Sequence, residues 1–431
     1  MAPRRLRIAF FSDFSGDNSL SAYCSRLLLP LLATEHDVEA FACSSGPDVP
    51  AVLSHHYLKA YQRHRHSPFD LFFYQLEDGR ASRFVRSSVG IVPGITWFHD
   101  LFFQDLGPEA THTSPWENSV RQFYAPETPF ADRSVAPHQL WPRAYRELSL
   151  SPISLFSSRW ALTESKTMIS SRLESELGAH RSEVLPIPVA APPVAPLPSR
   201  ETLRVSAISG TGLESRAHKL LAALQGLKGT WHLNWVVAPQ EVAAAETMLR
   251  EFNAGGRATL ITNCSPTSWS DLLASSHVAL HLRSSCFGHL APFVHLSLAS
   301  GRLTAVSDMA QGEDLPDAVV CKVTPGISEG AQLSAILEAA RSMDILRATE
   351  PARAHIASAH SPKLIAARLS TVLRSAAPQL ACVMQRWDTL YSAAEAELMR
   401  EVESLMGAEA DAGLDPFSRI MKPAIAELAT R

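Results

Sequence analysis

Charge is scarce in this sequence. Asp, Glu, Lys and Arg make up 19% of its 431 residues, below the roughly 25% usual for globular proteins. Disordered chains are rich in charge and poor in apolar residues, and a hydrophobic content of 46% excludes that class. A formal net charge of −4 leaves no broad basic field to gather nucleic acid. Lysine is rarer still, 7 against 32 arginines, which reads as genomic bias. The six cysteines (Cys24, Cys43, Cys264, Cys286, Cys321 and Cys382) include no CxxC pair and are too sparse for a disulfide framework. A cytoplasmic location is therefore the default expectation, with peripheral attachment to a membrane left open. No apolar run approaches the roughly 20 residues that span a bilayer. The basic start Arg4, Arg5 and Arg7 leads only into Ile8-Ala9-Phe10-Phe11, too short for the apolar core of a signal peptide and better read as a first strand. There is no GxSxG element to support a serine hydrolase. The histidines His55, His56, His64 and His66 lack a Cys or carboxylate companion at ligand spacing, so they read as a solvated helix and loop, and no metal is expected.

What the chain does have is alternation, over a length that suggests two or three domains. Apolar strands are predicted at Arg5–Phe11, Val38–Ala42, Asp70–Gln75, Gly94–His99 and Ile153–Ser157, with a helix at Ser19–Ala33. Continuously apolar strands between helices indicate a buried parallel sheet. A proline-rich stretch, Pro186 to Pro198, reads as an extended linker. The alternation then restarts, with strands at Leu203–Ser209, His232–Ala238, Ala258–Thr262, Val278–Leu282 and Thr304–Ser307. Helices are expected at Arg216–Leu227, Pro239–Phe252, Ser268–Ser275, Ala291–Ser300 and Glu329–Ser342. Met384 to Met406 is amphipathic and helical. The predicted organisation is an N-terminal Rossmann-like domain (1–185), a linker (186–200), a second Rossmann-like domain (201–377) and C-terminal helices (378–431). Ligands would sit in the cleft between the carboxyl ends of the two sheets. Residues 101–150 interrupt the rhythm with aromatic residues, prolines and histidines. They read equally as a site-lining insertion or a packed surface excursion.

Several segments resemble the GT-B glycosyltransferases, family 4 in particular. Asn18-Ser19-Leu20-Ser21-Ala22-Tyr23 with Arg26-Leu27-Leu28-Leu29-Pro30 is similar to the family's SGIADYSxxLLP helix. Asp70 to Leu76 resembles its DxxxYQxGN strand, and Pro93 to Asp100 its PGxxxxHD strand. Arg283 to Gly288, Leu298 to Gly301, Val306-Ser307-Asp308, Glu313 to Asp317 and Val320 to Val323 follow in the family's order. The collinearity implies an α/β fold of two Rossmann-like domains facing each other across a cleft. It also implies transfer of a sugar, with retention and without a bound metal or other cofactor, from a nucleotide sugar to a glycan, lipid-linked or protein acceptor. The donor would lie on the C-terminal side and the acceptor on the N-terminal side.

The same comparison names site residues and finds several of them altered. His99 and Asp100 match the family's histidine at the donor sugar and are the catalytic candidates. A satisfied histidine beside a helix-capping aspartate would give the same letters. Gly210 and Gly212 sit in a strand–GxG–helix setting suited to phosphate, with Arg216 and Lys219 as cations, although a plain βα turn reads alike. The missing third glycine argues against a nicotinamide-dependent dehydrogenase. Gly288 and His289 occupy the donor-sugar segment, where the family has a glutamate. Ser19 replaces a loop glycine, Ser215 a lysine, and Glu77-Asp78 a Gly-Asn pair that would lie near the diphosphate. Three readings follow: a glycosyltransferase; a catalytically weak or inactive GT-B pseudoenzyme that scaffolds or regulates a partner subunit; or an unrelated small-molecule binder or epimerase on the same architecture.

Overall fold

The computed structural model describes residues 4–14, 19–44, 46–103, 114–124, 144–168, 181–212, 215–262, 264, 266–283 and 292–411. Within them the two alternating series form two separate sheets. The first has seven strands: β1 (Arg7–Phe11), β2 (Asp37–Ala42), β3 (Leu53–His56), β4 (Leu71–Leu76), β5 (Ile95–Phe98), β6 (Ile153–Phe156) and β7 (Arg181–Val184). Their order is β3-β2-β1-β4-β5-β6-β7. The second has six, β8 (Thr202–Ile208), β9 (Thr230–Val236), β10 (Ala258–Ile261), β11 (Val278–His281), β12 (Leu303–Ser307) and β13 (Cys321–Val323), in the order β10-β9-β8-β11-β12-β13. All described pairings are parallel. Strand order reverses between β1 and β4 in one sheet and between β8 and β11 in the other. This is the doubly wound GT-B arrangement, and each reversal opens a crevice at the carboxyl ends of the strands.

The apolar strands seen in the sequence are the sheet interiors. Ile8 to Phe11 and Leu71 to Tyr74 are all buried, and Phe10 stacks on Phe73 with centroids 5.0 Å apart across the β1–β4 register. Gly94 opens β5 where a Cβ would meet the Phe72 carbonyl oxygen at 2.4 Å, so only glycine permits that approach. The histidine cluster is corrected. His55 and His56 lie on the edge strand β3, while His64 is buried on the helix Ala60–His66, its Nδ1 accepting from the Phe69 amide at 3.0 Å.

Residues 185–200 contain neither helix nor strand and are bound from both sides. Trp97 Nε1 donates to the Leu185 carbonyl at 3.1 Å, the Val189 amide to the His360 carbonyl at 2.7 Å, and Arg302 to the Ala195 carbonyl at 3.0 Å. The C-terminal helix runs unbroken from Pro362 to Asp411, through Pro378, so no break occurs where the sequence reading began a separate helical segment. It returns to the first domain. Trp387 is fully buried there and donates to the Ile91 carbonyl at 2.7 Å. The interrupted region contributes helices Pro115–Tyr124 and Tyr145–Leu150, and Trp116 from it is a core residue.

Candidate functional site

The first domain presents the helix Leu20–Glu35 to its crevice. Ser19 caps this helix, its hydroxyl accepting from the Ala22 amide at 3.0 Å. Ser19 therefore has a positive reason to stand where a glycine was expected, because the first amides of a helix need side-chain acceptors. A second acceptor comes from the residue that follows β4. Glu77, 6% exposed, reaches across the point of strand reversal, accepts from the Ser21 amide at 3.0 Å and takes a hydrogen bond from the Ser19 hydroxyl. A carboxylate thus sits on the positive end of this helix. Burial pushes the neighbouring Cys24 thiol well up, and the charge of Glu77 adds to the effect.

His99 differs from expectation. Its ring is 0% exposed and does not face open cleft. Its Nδ1 bonds the Ser157 hydroxyl at 2.7 Å and its Nε2 lies 3.0 Å from the Gln75 side-chain oxygen, which makes Nε2 the protonated nitrogen. Gln75 in turn donates to Ser25, and Ser25 bonds Ser12. His99 is therefore a link in a closed polar chain beneath the crevice, the satisfied alternative left open by the sequence. Asp100, also buried, accepts from the Asp78 amide at 2.8 Å and ties the β4 and β5 loops together.

In the second domain the glycine loop follows β8, as expected, but it too carries a carboxylate. Glu241, after β9, accepts from the Thr211 amide at 2.8 Å and the Thr211 hydroxyl at 3.2 Å. A Cβ at Gly210 would lie 2.7 Å from the same carboxylate oxygen, so the loop backbone passes close against the Glu241 side chain. Arg216 is the residue before the helix Ala217–Gln225 and has left-handed backbone (φ 58°). Its Nε donates to both oxygens of Glu329 at 3.0 Å, and Glu329 is fully buried at the start of the helix Glu329–Ser342. The pairing raises the guanidinium pKa. Arg216 is thus a cation with a resident partner. Lys219 is half-buried one turn further on, and its side chain has no hydrogen bond or ion pair among the described residues. Gly288 and His289 lie outside the described residues. Among the described residues no group of three or more His, Cys, Asp or Glu could hold a metal ion.

The two sides meet at a cavity of about 460 Å³ lined by Ser157, Arg159, Ile187, His295, Asp314 and His360. Asp314 accepts from the Trp160 amide at 2.8 Å, binding the second domain to the start of the helix Arg159–Met168. Lys322, 2.9 Å from Asp317, steadies the loop that carries Asp314. Sequence reading missed Glu241 and Glu329 as site residues. The available signal was position, because each stands at a helix start following a strand.

No family model and no curated protein sequence matches the chain. The fold does have matches. Sucrose-phosphate synthase from Thermosynechococcus elongatus superposes with a TM-score of 0.62 at 14% identity, over 86% of this chain and 99% of that one. HepE from Anabaena, in complex with UDP-glucose, gives 0.61 at 12% identity over 86% of this chain and all of that one. WaaG, a glycosyltransferase involved in lipopolysaccharide biosynthesis, gives 0.53 at 14% identity, covering 85% and 99%. These likenesses establish the GT-B fold. Among the described residues no helix is long and apolar enough to cross a membrane.

Proposed function

We propose that the chain is a glycosyltransferase of GT-B type that takes a nucleotide sugar in its interdomain cleft and transfers the sugar to a glycan, lipid-linked or protein acceptor. One observation carries this reading: the two-sheet architecture is matched over 86% of this chain by the whole of HepE, a protein solved with UDP-glucose. The second domain (201–377) would hold the donor and the first (1–185) the acceptor. The leaving diphosphate needs positive groups that are already in place rather than covalent help. The amides of the Gly210–Gly212 loop, once Glu241 gives up the Thr211 amide, and Lys219 would supply them, and Gly288 and His289 are assigned to the sugar by their place in the sequence. Retention, and a reaction that uses no metal, belong to the same proposal. Purified protein should release nucleoside diphosphate from one of the common UDP-, GDP- or ADP-sugars when an acceptor is present. Binding of a nucleoside diphosphate without release from any donor would overturn the assignment.

That outcome would favour the second reading, a pseudoenzyme that scaffolds a partner subunit. The observation on its side is that Glu77, Glu241 and Glu329 already engage the groups a diphosphate would use.

A further inference from the structure

Backbone N–H groups at helix starts and glycine loops attract anions because they lack intrahelical partners. On both sides of this cleft such groups are already engaged. Glu77 lies across the β1–β4 reversal on the Ser21 amide and the Ser19 hydroxyl, and Glu241 lies on the Thr211 amide and hydroxyl. The Ser21 hydroxyl, fully buried, has no partner among the described residues, leaving a hydrogen-bonding group unused beside Glu77. A carboxylate offers its oxygens to N–H donors much as a phosphate does. The two glutamates come from different domains, yet each occupies an anion position at the carboxyl end of its own sheet.

The geometry points to Glu77 and Glu241 as resident occupants of the diphosphate positions, which set the affinity and the selectivity of the donor site. This deepens the proposed transferase reading and rests on it. A diphosphate gains the loop and helix amides only by displacing these side chains, and the displaced carboxylates stay close enough to repel it. The site therefore selects against diphosphates until an acceptor, a partner or a movement of the two domains draws the glutamates away. Capping alone would make a different prediction: removing the charge would weaken the fold and leave anion binding unchanged.

The test is calorimetric titration of the full chain with inorganic pyrophosphate and with UDP, comparing wild type with Glu77→Gln, Glu241→Gln and the double variant. Glutamine keeps the size and an acceptor oxygen but loses the charge. Each single substitution is expected to tighten pyrophosphate binding about tenfold, the scale of one charge-assisted contact, and the double variant to tighten it further. Folded variants that bind pyrophosphate no better than wild type overturn the inference. Glu241 is only half-buried, so Glu241→Gln carries the test alone should Glu77→Gln fail to fold. Tighter pyrophosphate binding without any sugar transfer would sustain the occupancy and remove the transferase reading, so the two can fail separately.

Discussion

The two lips of the cleft solve the same electrostatic problem at different depths. On the first domain the polar groups are sealed: His99 is 0% exposed, Glu77 6%, and a chain of hydrogen bonds runs from Ser157 through His99 and Gln75 to Ser25 and Ser12. On the second domain Glu241, Arg216 and Lys219 are only half-buried. Buried polar networks are costly to leave half-satisfied, whereas half-exposed pairs exchange partners with water at little cost. The first lip is accordingly the more tightly held side, where displacing Glu77 costs more, and the second the side where a ligand trades places with a side chain more readily. Breaking the His99 chain should therefore act through stability, and removing the half-buried charge of Lys219 through binding.

The largest effect is expected at His99. His99→Ala leaves a cavity and strips partners from Gln75 and Ser157, so it should cost about 3–4 kcal/mol of stability, read from the urea midpoint. A variant with unchanged stability and lost turnover would break the contrast and return His99 to the chemistry. Next is His360, at the seam between the lips. Its Nδ1 donates to the Ile187 carbonyl at 2.9 Å, its ring faces His295 and His355, and burial lowers its pKa to about 4. The unfolded chain takes up a proton near pH 6.5, and the folded chain only near 4. Stability is thus full above about pH 6.5 and falls as pH drops toward 4, by up to about 3 kcal/mol from this group. His360→Gln should flatten that part of the stability–pH curve, and an unaltered slope would remove His360 as its source.

The limits of sequence reading follow the same division between buried and exposed. Strands β1, β4 and β5 were legible because both faces are covered, so their residues are continuously apolar. The edge strands β3 and β7, Leu53-Ser54-His55-His56 and Arg181-Ser182-Glu183-Val184, were missed because an edge tolerates polar side chains and gives no periodic signal. The glycine loop after β8 was found from its spacing. Its carboxylate partner Glu241 was not, because the pairing joins positions thirty residues apart. His99 was placed by resemblance at the right strand end. Its burial depends on Ser157 and Gln75 closing over it, a tertiary fact that no local pattern carries.

A smaller effect separates backbone from charge at Arg216. Both Arg216→Ala and Arg216→Gly remove the partner of the buried Glu329, but only alanine must also hold the left-handed backbone at φ 58°. Glycine adopts that region freely, so Arg216→Gly should be more stable than Arg216→Ala by about 1 kcal/mol. Equal midpoints would mean that the backbone turns over when the ion pair is lost.

The smallest change in stability is expected at Lys219, and it bears most directly on the second lip. This half-buried side chain has no hydrogen bond or ion pair among the described residues. Burial lowers the pKa of the adjacent His218, and the charges of Arg216 and Lys219 contribute to that lowering, so the positive potential at this helix start is felt locally. Removing an unpaired surface charge changes stability by no more than about 0.5 kcal/mol. Lys219→Ala should therefore leave the urea midpoint in place. If the helix start takes a diphosphate, the same substitution should weaken UDP binding a fewfold at low ionic strength. The difference should shrink as salt rises, because a partly exposed cation acts over roughly a Debye length. Titration of both proteins at low and high salt decides the matter. An affinity difference that persists unchanged at high salt would mean that Lys219 makes a direct, desolvated contact. No difference at either salt would place the diphosphate away from this helix and leave the second lip without a mobile cation for the donor.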